Sequence, residues 1–578
     1  MLQSKLIGET FKDWPSEATL KSHGLLLKGG YIRQIAGGIY VLMPLAKKIT
    51  AKIENIIREE MNALEGQEIL MPLVSTRKLW EMSGRYDSVD QELLRFKDRT
   101  GTDLVLSMTH EEIVTFLALT DARSYQKYPF SLYQIQTKFR DEARSRGGLI
   151  RVREFTMKDA YSFHTSKESL KETYQKYYDS YNKIFKRVGI PEVIAVESDT
   201  GMMGGKVAHE YMLLCDAGED KIITCTNCDY KANMEVAVAS KIEAATKGVA
   251  DLEKFETPGI KTIEELQSFV NIEPSNMVKA VVYTRLDTKQ PVIVFIRADR
   301  EVNETKLRKI IGVEELEPRK ENEDDGICYG SIGPVNLNLD SDKVTVVYDV
   351  SLKNETNLIS GANIDGYHLK GVNIQRDLGD VEFVDVYKVV ENDVCPSCGK
   401  NTIAISKGIE VGNIFQIEQK YTKSMNITYL DENGKTQFPI MGCYGIGIGR
   451  LMASVLEAKA TKTAVNWPVS IAPFDIHICP IDYTKSEEVK KCSDELYEKL
   501  QKLNLDVLLD DRAKSPGFKF AEADLIGAPI RICVSPRNLP NNVFEVKVLG
   551  KEDVELINID EIYEYIEKIR KELFEGVN

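Results

Sequence analysis

Cysteine is scarce in this chain, with ten residues in 578. The scarcity excludes a disulfide scaffold, because such scaffolds are short and cysteine-dense. Long apolar runs are also missing, and none approaches the ~20 residues that a membrane-spanning helix needs. The first residues, MLQSKLIGETFKDW, lack the apolar segment of a secretory signal. We therefore expect a cytoplasmic protein that does not enter a membrane.

An excess of positive charge is absent as well, since the formal net charge is −14. This net negative charge argues against a protein whose surface is mostly basic and binds nucleic acids nonspecifically. Local arginine clusters on an acidic body can still bind a polyanion. The composition, 43% hydrophobic and 28% charged, is typical of globular proteins. At ~150 residues per domain, the length predicts three or four domains.

A predicted hairpin within residues 132–164 carries the densest arginine pattern in the chain. Residues 132–136 alternate apolar and polar side chains, which predicts a half-buried strand. The glycine-containing basic segment 144–148 predicts a turn. Residues 150–157 then predict a second strand.

Four side chains of this hairpin have the chemistry of a nucleotide site. Arg140 and Glu142 are two positions apart, so we expect them on one face of the first strand. Arg151 and Phe155 belong to the predicted second strand. Guanidinium groups bind phosphates and carboxylates through paired hydrogen bonds, and a ring beside them can stack on a base. The alternative is an edge hairpin with a solvated charged face.

A glycine-rich strand near the end of the central region gives a second signal. Gly445, Gly447 and Gly449 would leave one strand face bare, so that a flat ligand can approach the backbone. Arg450 follows at once, and residues 451–459 predict a helix. A dinucleotide-binding βαβ unit is excluded, because the required strand, glycine turn and distal acid are not found together.

Two further segments each predict a helix next to a strand. Residues 104–108 predict a strand, and Thr109 is then a good N-cap for a helix over 112–119. Capping alone would explain Thr109 and the acids after it. Residues 45–64 predict an amphipathic helix, followed by a strand over 68–74 whose Pro72 favours an edge or interface position.

Four cysteines occur as two Cys-x-x-Cys pairs, Cys225 with Cys228 and Cys395 with Cys398. Two such pairs supply the four soft ligands of a tetrahedral structural zinc site. The ~170 residues between the pairs require an inserted domain whose ends lie close together. Four reduced, semi-buried thiols are the alternative, and the sequence leaves both open.

Two regions predict additional α/β domains. Residues 254–385 combine helical and β-rich runs with glycine loops at 330–334 and 361–368, which could enclose one cleft. Residues 470–578 alternate strands and helices, which predicts a small domain with a mostly parallel sheet.

The hairpin over 132–164, the glycine strand before Arg450 and the Thr-x-Glu loop at Thr109 together resemble class II aminoacyl-tRNA synthetases, in the bacterial-type prolyl-tRNA synthetase form. The helix and proline-containing strand of 45–74 resemble motif 1, which implies a homodimer. The resemblance implies an α/β multidomain fold with an antiparallel-sheet catalytic core. It implies the following domains: catalytic core, 1–222 and 400–466; insertion, 223–399, with an editing domain at about 254–385; α/β anticodon-binding domain, 470–578.

The resemblance also implies substrates, cofactors and site residues. The partners are L-proline and tRNA(Pro), and the cofactors are ATP and Mg²⁺, with the structural Zn²⁺ left open. The implied residues are Arg140, Glu142 and Arg450 in catalysis; Thr109, Glu111, Arg140, Asn413 and Cys443 for proline; Arg140, Glu142, Arg151, Phe155, Gly447, Gly449 and Arg450 for ATP; Lys279, Gly333 and His368 for editing.

Editing is also expected on physical grounds. A pocket that holds proline cannot exclude the smaller alanine by size, and lost methylene contacts discriminate only ~10–200-fold. A second site that hydrolyses alanyl-tRNA would correct the remaining errors. The competing interpretation is a noncatalytic tRNA-binding or editing-only paralogue. Such a chain is expected to lose Arg140, Glu142 or Arg450, and all three are present.

Overall fold

The computed structural model describes residues 1–89, 91–240, 248–321, 325–340, 342–551 and 553–577. The chain forms two compact units. The larger comprises Met1–Ala195, Thr200–Glu219 and Lys407–Asn578, and the smaller comprises Val196–Asp199 and Asp220–Ser406.

The helices of the described residues are α1 (Lys21–Lys28), α2 (Pro44–Ala63), α3 (Arg77–Ser83), α4 (Arg85–Ser88), α5 (Glu111–Asp121), α6 (Lys167–Arg187), α7 (Ile263–Val270), α8 (Glu304–Ile311), α9 (Ile374–Leu378), α10 (Lys420–Ser424), α11 (Ile448–Lys459), α12 (Glu487–Lys502), α13 (Pro516–Ile526) and α14 (Ile562–Glu575). Within that part of the chain, no helix combines the length and apolar character needed to cross a bilayer.

The strands are β1 (Ile32–Ala36), β2 (Ile39–Leu42), β3 (Gln67–Glu68), β4 (Val74–Thr76), β5 (Arg95–Lys97), β6 (Asp103–Leu106), β7 (Phe130–Phe139), β8 (Glu154–His164), β9 (Ile194–Glu197), β10 (Val207–Leu214), β11 (Asp220–Cys225), β12 (Lys231–Asn233), β13 (Glu253–Glu256), β14 (Val278–Arg285), β15 (Pro291–Arg297), β16 (Leu316–Pro318), β17 (Thr345–Asp349), β18 (Leu358–Gly361), β19 (Tyr367–Val372), β20 (Phe383–Val384), β21 (Ile403–Glu418), β22 (Tyr429–Leu430), β23 (Thr436–Gln437), β24 (Ile440–Gly447), β25 (Ile476–Pro480), β26 (Val507–Leu509), β27 (Ile530–Val534), β28 (Val543–Val548) and β29 (Val554–Asn558).

An antiparallel sheet organises the first part of the larger unit. Its neighbouring strands run β10, β21, β24, β8 and β7, all antiparallel, and β3 adds to β7 in parallel. Helices α2, α6 and α11 pack against one another and share a buried core with the sheet. Helix α2 buries Ile49, Ile53 and Ile57, as the helical spacing predicted.

The second part of the larger unit is a separate five-stranded sheet near the C-terminus. Strands β26, β25 and β27 are parallel neighbours, whereas β28 and β29 continue the sheet in antiparallel pairings. The prediction of a mostly parallel sheet was therefore wrong for its last two strands. Strand β29 was not predicted, and its first three residues are exposed.

The smaller unit contains two sheets and is of mixed α/β type. Strands β16, β14, β15, β17 and β20 form one sheet, in which β14 and β15 are antiparallel and β15 and β17 parallel. Strands β13, β19 and β18 form the other. Thr262 and Glu265 form a capping box that starts α7.

The hairpin differs from its prediction at the turn. Strand β8 begins at Glu154, so Arg151 lies in the loop and not on the second strand. Arg140 and Glu142 lie beyond the end of β7, so the prediction of a shared strand face was wrong. Gly147 and Gly148 have φ angles of +67° and +63°. Residues with positive φ do not fit a regular strand, so the two strands cannot pair at these positions.

The strand predicted over residues 68–74 was also wrong, since β3 ends at Glu68 and β4 starts at Val74. Pro72 has no backbone N–H to give to a ladder. The backbone N–H of Met71 donates instead to Gln134 Oε1 (2.9 Å), and Gln136 Nε2 donates to the Met71 carbonyl (2.9 Å). Side chains of β7 thus replace strand pairing here.

Candidate active site

Arg140 lies at the open end of β7, where the hairpin strands separate. Its guanidinium stands 5.3 Å from the centroid of the Phe155 ring, and Nε is 3.4 Å from the Met108 carbonyl oxygen. Burial, and then the positive charge of Arg450, lower the pKa of Arg140. An anion that reaches both guanidinium groups would relieve this repulsion.

Glu142 is held as a carboxylate by the arginines of the hairpin loop. Arg151 Nη2 donates to Glu142 Oε1 at 2.8 Å. Burial would raise the pKa of Glu142, but the hydrogen bond and charge of Arg151 outweigh it and lower the pKa. Glu142 is therefore an acceptor at neutral pH. Glu219 pairs with Arg151 (3.3 Å) and also with Arg146.

The glycine strand leads directly into helix α11. Gly447 is the N-cap and the helix starts at Ile448, so the predicted start at 451 was three residues late. A Cβ added at Gly447 would lie 3.6 Å from Arg450 Cβ, and one at Gly449 would lie 3.8 Å from Leu149 Cδ1, which are ordinary van der Waals distances. Gly449 belongs to α11, so the prediction of one bare strand face was wrong at this glycine. Gly449 and Phe155 line the same cavity.

Arg450 lies in the first turn of α11 and is fixed by three contacts. Its Nε donates to the Ile150 carbonyl at 2.8 Å, and Nη1 lies 3.1 Å from Glu410 Oε2 and 3.2 Å from the Glu410 carbonyl. Asn413 Nδ2 donates to the other oxygen of Glu410 at 2.8 Å. Glu410 thus links Asn413 to Arg450, a role that the sequence analysis missed.

The Thr-x-Glu loop brings Glu111 to the glycine strand. Cys443 Sγ donates to Glu111 Oε1 at 3.2 Å, and both residues are buried. The prediction that Thr109 caps the helix was wrong, because α5 starts at Glu111 with His110 as the N-cap. The Thr109 hydroxyl instead accepts a hydrogen bond from Arg85 Nη1 at 3.0 Å.

A buried polar group couples this loop to the hairpin. Asp159 of β8 accepts hydrogen bonds from Lys138 Nζ and from the Tyr161 hydroxyl, each at 2.7 Å. The Tyr161 oxygen accepts in turn from the backbone N–H of His110 at 3.3 Å. The sequence held a signal for this group, since the polar residues Gln134, Gln136 and Lys138 alternate along β7 and share one face of that strand.

The four paired cysteines lie together in the smaller unit. All four Sγ atoms are within 4.8 Å of one another, with 3.7 Å between Cys225 and Cys398 and 3.6 Å between Cys228 and Cys395. Zn–S bonds of about 2.3 Å in a tetrahedron give S···S edges of about 3.8 Å. The thiols therefore fit a closed four-coordinate zinc site.

The three predicted editing residues lie in different parts of the smaller unit, since Gly333 is outside the strands, His368 is on β19 and Lys279 is on β14. A Cβ on Gly333 would lie 1.9 Å from the Gly361 carbonyl oxygen, and Gly361 pairs with His368 across β18 and β19. His368 is buried, which lowers its pKa, and its Nδ1 is 2.6 Å from Thr257 Oγ1. Lys279 lies on β14 in the other sheet, with Nζ 3.2 Å from Glu301.

Comparisons with known proteins identify the family. The model described as "tRNA synthetase class II core domain (G, H, P, S and T)" matches residues 94–459, and "Anticodon binding domain" matches 469–569. The curated proline–tRNA ligase of Geobacillus sp. (strain WCH70) is 44% identical over 573 residues, covering 98% of this chain and 100% of the relative. The chain belongs to the proline–tRNA ligase family. The proline–tRNA ligase of Lysinibacillus sphaericus (strain C3-41) is 45% identical over 551 residues, 95% of each chain.

Membership of the proline–tRNA ligase family confirms the predicted fold class. The crystal structure of prolyl-tRNA synthetase from Cryptosporidium parvum, complexed with halofuginone and AMPPNP, has a TM-score of 0.59 and 14% identity. That alignment covers 99% of this chain and 80% of the other, and at this identity it supports the fold alone. The class II core match includes Arg140, Glu142 and Arg450.

Proposed function

We propose that this protein is a cytoplasmic proline–tRNA ligase, which activates L-proline with ATP and transfers it to tRNA(Pro). The observation that carries the proposal is the position of Arg140, whose guanidinium lies 5.3 Å from the Phe155 ring centroid and whose pKa is lowered by burial and then by the charge of Arg450, together with the buried carboxylate of Glu111. Such a site suits a polyphosphate and the ammonium group of an amino acid together. The editing-only alternative leaves this site without a role.

In the activation step, the proline carboxylate attacks the α-phosphorus of ATP. A new P–O bond forms as the bond to the leaving pyrophosphate breaks, and no protein nucleophile is needed. Arg140 holds the α-phosphate and the attacking carboxylate, and Arg450 holds the γ-phosphate. Their fixed charges stabilise the transition state.

The adenine is recognised by the loop and strand of the hairpin. Phe155 stacks on the ring, and the carboxylate of Glu142, oriented by Arg151, accepts from the amino group. Gly447 and Gly449 leave room for the nucleotide against the backbone. Mg²⁺ would neutralise phosphate charge when bound, and Glu410, whose carboxylate lies beside Arg450, is the residue that would hold it.

The proline ring nitrogen is bound by the Thr-x-Glu loop. Glu111 pairs with the secondary ammonium, and Thr109 accepts a hydrogen bond from it. Cys443 and Asn413 complete the pocket from strands β24 and β21. The terminal ribose hydroxyl of tRNA(Pro) then attacks the carbonyl of the prolyl adenylate, and AMP leaves. The segment over 469–569 binds the anticodon.

A second activity is proposed for the insertion, about 223–399, whose editing domain spans about 254–385. The contact between Gly333 and Gly361 and the buried His368 beside it support a site that hydrolyses alanyl-tRNA(Pro). Lys279 contributes from the neighbouring sheet. Cys225, Cys228, Cys395 and Cys398 hold a structural Zn²⁺, as the S···S distances support.

The protein is proposed to act as a homodimer through its motif 1 segment. Leu70 and Val74 of this segment are large apolar side chains that are 74% and 41% exposed, so they are available to contact a second subunit. Leu70→Glu is therefore expected to lower the molar mass measured by analytical ultracentrifugation, whereas Leu252→Glu, an exposed leucine of the smaller unit, should not. Equal masses for the two variants would contradict this interface.

The function is tested by amino-acid-dependent ATP–pyrophosphate exchange. Exchange is expected to be strongest with proline, weaker with alanine and absent with threonine. Arg140→Ala should abolish exchange and leave hydrolysis of alanyl-tRNA largely intact. Absence of exchange in folded protein with Mg²⁺ would refute the synthetic site, and loss of both activities in folded Arg140→Ala would refute the two-site description.

A further inference from the structure

Arg85 is a buried arginine that neither the motifs nor the proposed reaction uses. It is the first residue of α4 and follows Gly84, whose φ of +79° turns the chain between α3 and α4. Its side chain is 3% exposed. The guanidinium lies 5.0 Å from the Trp80 ring centroid and 5.7 Å from that of Tyr421.

The guanidinium of Arg85 contacts Thr109, Glu111 and Glu112 through one nitrogen. Nη1 donates to Thr109 Oγ1 at 3.0 Å and to the two oxygens of Glu112 at 3.0 and 3.3 Å, and it lies 3.5 Å from Glu111 Oε2. Two buried carboxylates therefore share this guanidinium. Ser83 Oγ donates to Glu112 as well, at 2.8 Å.

This arrangement satisfies Glu112 and leaves Glu111 incomplete. Among the described residues, Glu111 Oε2 has no hydrogen-bond donor, although it is buried. A buried carboxylate oxygen without a donor is costly, so a ligand that brings N–H groups to it gains affinity. The ammonium of an amino acid is such a ligand.

We propose that Arg85 is a positioning residue for amino-acid binding. Its contacts with the Thr109 hydroxyl and the Glu111 carboxylate fix both side chains in the orientation that binds the substrate ammonium. The inference rests on the proposed function, because it assumes that this loop binds proline. Arg85 does not touch the reacting atoms. Its rotamer is held by the two rings, so the loop geometry is set before the substrate arrives.

The test compares Arg85→Lys and Arg85→Gln with the wild type in proline-dependent ATP–pyrophosphate exchange. Lysine keeps the charge but cannot present a planar guanidinium, and glutamine removes the charge. A displacement of about 1 Å in a positioning group costs roughly 100-fold. We expect the KM for proline to rise about 10- to 100-fold, with the KM for ATP unchanged, and with Arg85→Lys less affected than Arg85→Gln.

Arg95→Lys is the matched control from the same region. Arg95 donates to the backbone carbonyls of Tyr86, Val89 and Leu93 at 2.5–3.0 Å, which is a structural role. We expect it to lower the melting temperature and leave both KM values unchanged. Arg85→Lys that folds with an unchanged proline KM, or that raises both KM values equally, overturns the inference. Wild-type protein without proline-dependent exchange overturns the proposed function instead.

Discussion

The four-cysteine cluster allows the contribution of one metal ion to stability to be calculated. Cys228 and Cys395 are 167 positions apart, and the cluster ties these ends of the smaller unit together. By the loop-closure relation for a covalent crosslink, closing a loop of this length restricts the unfolded chain by about 5 kcal/mol at 25 °C. Because the unfolded chain does not contain the assembled site, binding of the proposed zinc ion would contribute to the folding free energy, and we take the loop-closure value as the order of magnitude of the effect.

The perturbation is Cys395→Ser, which removes one ligand from the cluster. We expect wild-type protein to contain about one zinc per chain, and the variant to contain less. The free energy of unfolding of the smaller unit should fall by about 2–5 kcal/mol, measured by urea denaturation. A chelator should destabilise the wild type by a similar amount and change the variant little.

Cys328→Ser provides the control, because Cys328 is a half-buried cysteine of the same unit outside the cluster. It should retain zinc and chelator sensitivity. Wild-type protein purified with zinc present but binding none would refute the reasoning. So would a Cys395→Ser variant as stable and as zinc-rich as Cys328→Ser.

Two further predictions follow from the active-site sheet. Glu410→Gln removes the half-exposed ion pair to Arg450, so the KM for ATP should rise about two- to fivefold while the KM for proline stays constant; a change confined to proline would contradict the assignment. Burial lowers the pKa of Lys158 to about 7, with Asp159 opposing the shift. Between that pH and the ordinary lysine value, the unfolded chain binds more protons than the folded chain, so stability should rise with pH by up to about 1.4 kcal/mol per unit. Urea unfolding at pH 7 and 9 measures this rise, which Lys158→Met should abolish; an equal rise in the variant would refute it.

Regular periodicity made much of the fold predictable from the sequence. The helical spacing of apolar residues gave α2 to within one residue at each end. The turn at 144–148 was marked by its glycines, but the loop is longer than predicted, because the last paired residues of the hairpin are Phe139 and Glu154 and the residue types on either side of the turn do not mark these ends. Strand 68–74 failed because Gln134 and Gln136 satisfy its backbone groups, which depends on contacts distant in sequence.

The candidate site was predictable where side chains act through their own chemistry. Arg140, Glu142 and Arg450 stand out as charged residues near glycine or aromatic positions. Arg85 and Glu410 did not stand out, since each matters through a partner far along the chain. A lone arginine in sequence is ordinarily exposed, and only the fold reveals its burial.

The hydrogen-bonded chain from Lys138 through Asp159 and Tyr161 to the His110 backbone joins the end of β7 to the start of α5. Because these hydrogen bonds are internal to the protein, neither substrate has to order this group when it binds. The proposed ATP and proline sites should then show little coupling, and by thermodynamic reciprocity the affinity for each ligand should be nearly independent of the other. The sheet would thus act as a preformed platform that accepts its two substrates in either order.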